Sequence, residues 1–323
     1  MTINILLAGN IPSDDAAALK ARFKVHSFAE VEDPDAFLAE IGSRIRGVVV
    51  TGFRGYNKAL LDALPNVEII SVWGGGISEL DLEAARDRDI TVVVTPDDSK
   101  VAVAELGLGL MLAAARWITD SDRHVRSGKW ETEGYPRMGI GLANHSCGIV
   151  AMGTVGRHVA DRAHAFGMNV SYYGPRQKRD VLYHFQPDLL ELARLSDFLV
   201  LCCPNTPETR GLISSEVLEA LGADGTLVNI ARGPVVDEDA LVLALQDGTI
   251  RAAALDVYTH EPRVSEAICL SERTVLTAHI GTQIQDVRDK RKKFFIQNLE
   301  DFFSGRVLME AALVSEPDLK VVE

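Results

Sequence analysis

Four residues able to carry acid–base and anion-binding chemistry stand near apolar runs in the second half of this chain. Arg232 lies in "NIARGPVVDE", Asp256 and Glu261 in "LDVYTHEP", and His279 in "TAHIG". Each is unremarkable alone, because a lone histidine or a glutamate before a proline is usually structural. Together they supply what reduction of a 2-oxoacid requires. An arginine holds a carboxylate in a bidentate grip. A histidine gives a proton to the carbonyl oxygen as hydride reaches the carbon. A glutamate bonded to that histidine selects its tautomer and orientation.

Such a reaction needs a hydride donor, and "CGIVAMGTVGRHVA" offers a place for one. An apolar run enters a glycine turn and leaves as an amphipathic helix. Gly153 lets the backbone approach a pyrophosphate, and Gly156 lets the helix pack close to its strand. The helix N-terminus presents N–H groups and a positive dipole end to phosphate. Ala151 stands where a first glycine is expected, which is tolerable at negative φ and costs roughly 1 kcal/mol or more at positive φ. About twenty residues further on, an acid ordinarily binds the ribose 2′-hydroxyl of NAD. Here Gly174 occupies that place, followed by Pro175, Arg176, Lys178 and Arg179. Without a carboxylate to repel it, and with arginine able to clamp it, a 2′-phosphate is the expected occupant. The cofactor expected is therefore NADP(H).

The elements that position these residues follow from the apolar pattern. "INILLAG", "RGVVVTG", "VEIISVWGGG" and "ITVVVTP" alternate with helical stretches in the first part of the chain. "CGIVAMG", "MNVSYYG", "DFLVLCCP", "GTLVNIA", "RAAALDVY" and "TVLTAHIG" do so in the second. Continuous apolar strands separated by helices predict parallel sheets covered on both faces. Between the two sets, Asp97, Asp98 and Ser99 are cap candidates for a long helix that is apolar almost all round, expected between domains or between subunits. The fold class is α/β, with two Rossmann-like doubly wound domains and a cleft between them: a flavodoxin-like substrate domain and a dinucleotide-binding domain. The boundaries read as 1–98 plus 286–323 for the substrate domain and 99–285 for the other.

At 323 residues, 47% hydrophobic and 24% charged, the composition is that of a soluble globular chain. A net charge of −13 argues against general nucleic-acid binding but not against a small anionic ligand at a locally basic site. No apolar run is long enough to span a membrane, and "MTINILLAGNIP" reads as a first strand rather than a leader. The four cysteines, Cys147, Cys202, Cys203 and Cys269, have neither disulfide nor zinc spacing, and read as buried reduced thiols in a cytoplasmic protein. No metal site is expected. Trp117 and Trp130 read as packing residues, and the long apolar helix suits a twofold interface, so a homodimer is expected.

These motifs resemble the D-isomer-specific 2-hydroxyacid dehydrogenases. The resemblance runs through "ELDLEAARDRDITVVVTP", "VAELGLGLMLAAAR", "CGIVAMGTVG", "CPNTPETRGLI", "NIARGPVVDEDAL", "AALDVYTHEP" and "TAHIG". It implies that Arg232 binds substrate, Glu261 supports the histidine and His279 is the acid/base. It implies that Gly75 and Gly76 offer backbone N–H groups to the substrate carboxylate, with Arg54 near the substrate's far end. Met152, Gly153, Thr154, Val155, Gly174, Pro175, Arg176, Lys178, Cys203, Pro204, Thr209, Ile230, Ala231 and Asp256 are the implied cofactor contacts, Asp256 lying near the nicotinamide. Within the family the sequence is most similar to NADPH-preferring glyoxylate/hydroxypyruvate and hydroxyphenylpyruvate reductases. Thr154 stands where the family often has a basic residue, and Ser78 where it usually has Asp. Other readings of the fold are a dinucleotide-sensing binding protein of the co-repressor type and a phosphoglycerate dehydrogenase. The basic loop after Gly174 disfavours the first. The second wants more cations for a substrate phosphate than Arg54 supplies.

Overall fold

The computed structural model describes residues 2–29, 31–51, 57–73, 80–94 and 99–308. The chain divides into two compact units, Met1–Asp98 with Gln285–Val322, and Ser99–Ile284.

The first unit carries five strands: β1 (Asn4–Leu7), β2 (Lys24–Ser27), β3 (Ile45–Thr51), β4 (Ile69–Trp73) and β5 (Thr91–Val94). They pair in parallel in the order β2-β1-β3-β4-β5. Alternate residues point to opposite faces, and both faces are covered, so the central strands are mostly apolar at successive positions. Leu6, Val48, Val50, Ile70 and Val72 enter one core, packed with Leu38, Ile41 and Leu61 from the intervening helices. Ile5, Leu7, Val49 and Ile69 enter the other, where Phe295, Ile296 and Leu299 of the final helix Gln285–Phe303 join Leu19 and Phe23. Each such side chain taken out of water contributes about 1.5–3 kcal/mol. Asp33, Asn57 and Asp81 cap three of the short helices by accepting from Ala36, Leu60 and Ala84 N–H at 3.0 Å. Strand β2 escaped the sequence pattern because "KVHS" is half exposed at the sheet edge.

The second unit carries seven parallel strands: β6 (Ser146–Val150), β7 (Asn169–Tyr173), β8 (His184–Phe185), β9 (Phe198–Leu201), β10 (Thr226–Asn229), β11 (Ala252–Leu255) and β12 (Thr274–Leu276). Their order is β12-β11-β10-β9-β6-β7-β8, reversing direction at β6 as a doubly wound sheet does. The two-residue β8 is a strand that no apolar run announces.

The long apolar helix spans Ser99–Arg116, so Ser99 is its first residue rather than a preceding cap. Asp97 and Asp98 lie outside the described residues. One face of the helix, with Ala104, Leu108, Leu110, Met111 and Ala114, packs in the second unit's own core with Ile149, Val159, Val200 and Val228, while Val101, Glu105 and Gly109 on another face are exposed. The chain breaks at Trp117, whose φ of 54° is left-handed, and a second helix follows at Ile118–Arg126. Trp117 is clasped by two guanidiniums, Arg137 at 4.8 Å and Arg251 at 4.6 Å from its ring. Arg251 also donates to the carbonyls of Ala114 and Ala115 at 3.3 Å, satisfying the end of the long helix. Trp130 is 61% exposed, so within this chain it is not a packing residue. Cys269 is likewise exposed, against the expectation of burial. Burial pushes Cys147 up to about 12 and Cys203 up to about 11, which keeps both as neutral thiols. Among the described residues, no single helix is long and apolar enough to cross a membrane.

Candidate active site

The glycine turn leaves β6 at Ala151 and enters the helix Thr154–Ala165, with Gly153 at its N-cap. Ala151 has φ of 76°, so the strained alternative is the one adopted. A methyl group sits in a conformation natural to glycine, held by its N–H bond to Tyr173 O at 2.9 Å. Gly156 is required for a different reason. A Cβ there would overlap the Ala151 carbonyl oxygen. The first turn of the helix therefore lies directly against the strand exit, with its N-terminal amides at the mouth of the turn. Met152 is 2% exposed, its side chain in the core, so the backbone is what it offers the turn. Beside it, β7 ends at Tyr173, and a Cβ on Gly174 would meet nothing within 4 Å. Pro175, Arg176 and Arg179 are exposed and Lys178 is half-buried. At the end of β9, Cys203 is buried and the following turn is closed by Thr209, whose Oγ1 donates to Pro204 O at 2.6 Å and accepts from Thr206 N at 2.8 Å.

The other candidates come from three adjacent strands, β10, β11 and β12, whose parallel course brings their carboxyl ends to one edge. After β10, Asn229 folds the exit: its side chain accepts from Ala231 N at 3.0 Å and donates to Arg232 O at 3.1 Å. Ile230 and Ala231 are each 6% exposed, whereas Arg232 is exposed. Arg232 Nη1 donates to Ala231 O at 2.7 Å. Gly233 then lies flat on the β11 exit, where a Cβ would overlap the Tyr258 carbonyl group. No larger residue lets these two loops touch.

After β11, Glu261 bridges two partners. Its Oε1 accepts from Tyr258 N at 2.9 Å, and its Oε2 takes His279 Nδ1 at 2.7 Å. Glu238, at the start of helix Glu238–Asp247, accepts from Thr259 N at 3.0 Å and steadies the same loop. The side chains of His279 and Glu261 keep 25% and 27% of their exposure, so the pair is sheltered but reachable. His279 itself has φ of 52°, an unusual conformation for a histidine. Asp256 holds it there. Its backbone oxygen accepts from His279 N at 2.9 Å. Its carboxylate, in a residue 3% exposed, accepts from Thr277 Oγ1 at 2.6 Å, Ile280 N at 2.8 Å and Gly281 N at 3.0 Å. The Tyr258 hydroxyl adds a tie from β11 to β12, donating to Thr277 O at 2.8 Å; burial pushes this phenol up to about 12.

A sheltered carboxylate–imidazole pair at strand ends, on the same parallel sheet as a glycine turn and helix, is what dinucleotide-dependent oxidation and reduction need. The family model for the D-isomer specific 2-hydroxyacid dehydrogenase, NAD binding domain, matches residues 108–281. This chain belongs to the D-isomer specific 2-hydroxyacid dehydrogenase family. It is 37% identical to glyoxylate/hydroxypyruvate reductase A of Arabidopsis thaliana, with 95% of this chain and 98% of that protein covered. It is 38% identical to the 2-ketogluconate reductase of Gluconobacter oxydans, covering 90% and 92%. Among solved structures, the NADPH-dependent glyoxylate/hydroxypyruvate reductase of Sinorhizobium meliloti, in complex with NADP and malonate, superposes with a TM-score of 0.86 at 30% identity, covering 98% of this chain and 97% of that one.

In this dehydrogenase Glu261 is joined to His279 and Asp256 to the loop that follows it, with Arg232 at the end of the neighbouring strand β10; Met152, Gly153, Thr154 and Val155 follow β6, and Gly174 with the basic loop follows the adjacent β7. Arg54, Gly75 and Gly76 lie outside the described residues, as does Ser78. Sequence reasoning missed Asn229, Gly233, Glu238, Tyr258 and Thr277. All five stand within quoted motifs, but their work consists of bonds between loops, which no local spacing announces.

Proposed function

We propose that this enzyme reduces glyoxylate or hydroxypyruvate to the 2-hydroxyacid with NADPH as hydride donor. The observation that carries the reading is the 2.7 Å bond from His279 Nδ1 to Glu261 Oε2, on the sheet edge that also bears Arg232. With Nδ1 committed to the carboxylate, the proton given to the substrate's carbonyl oxygen leaves from Nε2. The transfer leaves a neutral imidazole still oriented by Glu261. Arg232 grips the substrate carboxylate; the other expected substrate contacts, Gly75, Gly76 and Arg54, lie outside the described residues. When bound, the reduced nicotinamide supplies hydride to the substrate's C2. Asp256 serves the step by holding the His279 loop in its left-handed turn.

For the cofactor, the helix N-terminus at the exit of β6 supports a pyrophosphate contact through its free N–H groups, and Gly156 lets that first turn pack directly against the Ala151 carbonyl. The end of β7 supports a 2′-phosphate: it has open space at Gly174, no acid there, and Arg176, Lys178 and Arg179 next in the chain. The NADPH dependence of the Sinorhizobium meliloti relative points the same way.

The test is turnover of the purified enzyme with NADPH and with NADH against glyoxylate, hydroxypyruvate, phenylpyruvate, pyruvate and 2-ketogluconate. The expected result is preferred NADPH oxidation with glyoxylate or hydroxypyruvate. Preference for NADH defeats the cofactor reading. Preference for 2-ketogluconate moves the substrate toward that of the Gluconobacter oxydans relative. The reading includes a homodimer, supported by the exposed Ile118, Val125, Trp130 and Met138 within one stretch of the chain; a monomeric mass by sedimentation overturns that part.

A further inference from the structure

The cationic loop after β7 is tied down in a way that the cofactor reading does not require and that bears on selectivity. Tyr172 is 1% exposed, its ring packed in the core and 5.3 Å from that of Phe185. Its hydroxyl reaches the loop and accepts from Lys178 N at 2.8 Å, with Lys178 O at 3.5 Å. One core side chain thus holds the backbone at the middle of the basic run, between Arg176 and Arg179. Beyond that point, Asp180 pairs with Arg157 at 3.0 Å. Arg157 belongs to the helix that begins at the glycine turn. Tyr183 then donates to Asp161 of the same helix at 2.9 Å. The loop is fastened in the middle to the sheet and at its far side to the helix whose N-terminus faces the turn.

We propose that Tyr172 is a positioning residue for cofactor choice, using its hydroxyl to preset the Arg176–Arg179 backbone for a 2′-phosphate. The proposal rests on the NADPH reading above. An exposed loop left free pays to become ordered each time it closes on a phosphate, and a preset loop does not. NADH lacks the 2′-phosphate, so its affinity is indifferent to this loop. Tyr172 therefore acts on the difference between the two cofactors rather than on dinucleotide binding as such.

The experiment is Tyr172→Phe, which keeps the ring and removes the bond to Lys178. Affinities of the full-length enzyme are measured for NADPH and NADH, and for 2′,5′-ADP and 5′-AMP as probes with and without the phosphate. A net hydrogen bond of ordinary strength predicts a loss of roughly threefold to tenfold for NADPH and 2′,5′-ADP. NADH and 5′-AMP stay within about twofold on the same reasoning. In an Arg176→Ala background the substitution loses most of its effect, because the loop then has less to position. Equal weakening of both cofactors makes Tyr172 a general structural residue and overturns the proposal, as do unchanged affinities or fully additive effects with Arg176→Ala. A parent enzyme that binds NADH as tightly as NADPH defeats the cofactor reading instead. A parent that prefers NADPH, with Tyr172→Phe unchanged, defeats only this inference.

Discussion

Gly174→Asp puts the cofactor assignment under the sharpest test. Gly174 follows directly on β7, where a Cβ meets nothing within 4 Å and no left-handed φ opposes a side chain. Gly156 and Gly233 are different, because a Cβ at either would run into backbone. The substitution therefore carries little steric cost, and its effect is electrostatic. A new carboxylate would stand beside a 2′-phosphate carrying about −1.5 to −2 charges and would partly neutralise Arg176, Lys178 and Arg179. Two unit charges about 4 Å apart near a protein surface interact by about 4 kcal/mol, and salt reduces this. A net loss of about 1–3 kcal/mol for NADPH follows, roughly fivefold to 150-fold. For NADH the carboxylate is an acceptor for the ribose 2′-hydroxyl, a charge-assisted bond contributing about 1.5 kcal/mol or more, roughly tenfold. The ratio of kcat/KM for NADPH over NADH should fall by about two orders of magnitude, with the melting temperature little changed. A folded variant whose ratio moves by less than about threefold would refute the placement of the 2′-phosphate at the end of β7.

His279→Ala should reduce turnover by roughly a hundredfold to ten-thousandfold, the range of a lost general acid, while NADPH still quenches or shifts fluorescence as it binds; near-normal turnover would remove the proton-donor role. Asp256→Asn turns a buried acceptor into a donor facing the Gly281 N–H, so an unsatisfied pair costing about 1–3 kcal/mol should appear as a lower melting temperature together with a lower kcat. If kcat holds while stability falls, Asp256 does not govern the His279 loop. Ala151→Val places a β-branched residue at φ of 76°, and should lower stability by roughly 2 kcal/mol, about 4–8 °C in Tm. An unchanged Tm would mean that the turn is not left-handed at this residue.

Much of this molecule is legible in the amino-acid order because parallel sheets covered on both faces demand unbroken apolar strands. "RGVVVTG" and "DFLVLCCP" are β3 and β9 for that reason, and the glycine turn between β6 and its helix is visible because Gly153 and Gly156 are spaced for close approach. Edge strands β2 and β8 escape the same logic, since a half-exposed edge has no apolar run to show. The identities of Arg232, Glu261 and His279 could be read as a chemical set before any coordinates. Their working arrangement could not. The sign of φ at Ala151 and at His279, the overlap that makes Gly233 obligatory, the reach of Glu238 to Thr259 and the grip of Asp256 on three donors all join segments distant along the chain. A carboxylate or hydroxyl in a sequence has many possible partners, water among them, and only tertiary packing removes the alternatives. Burial then makes the surviving bond obligatory, because a polar group shut away from water without a partner costs more than the bond itself contributes.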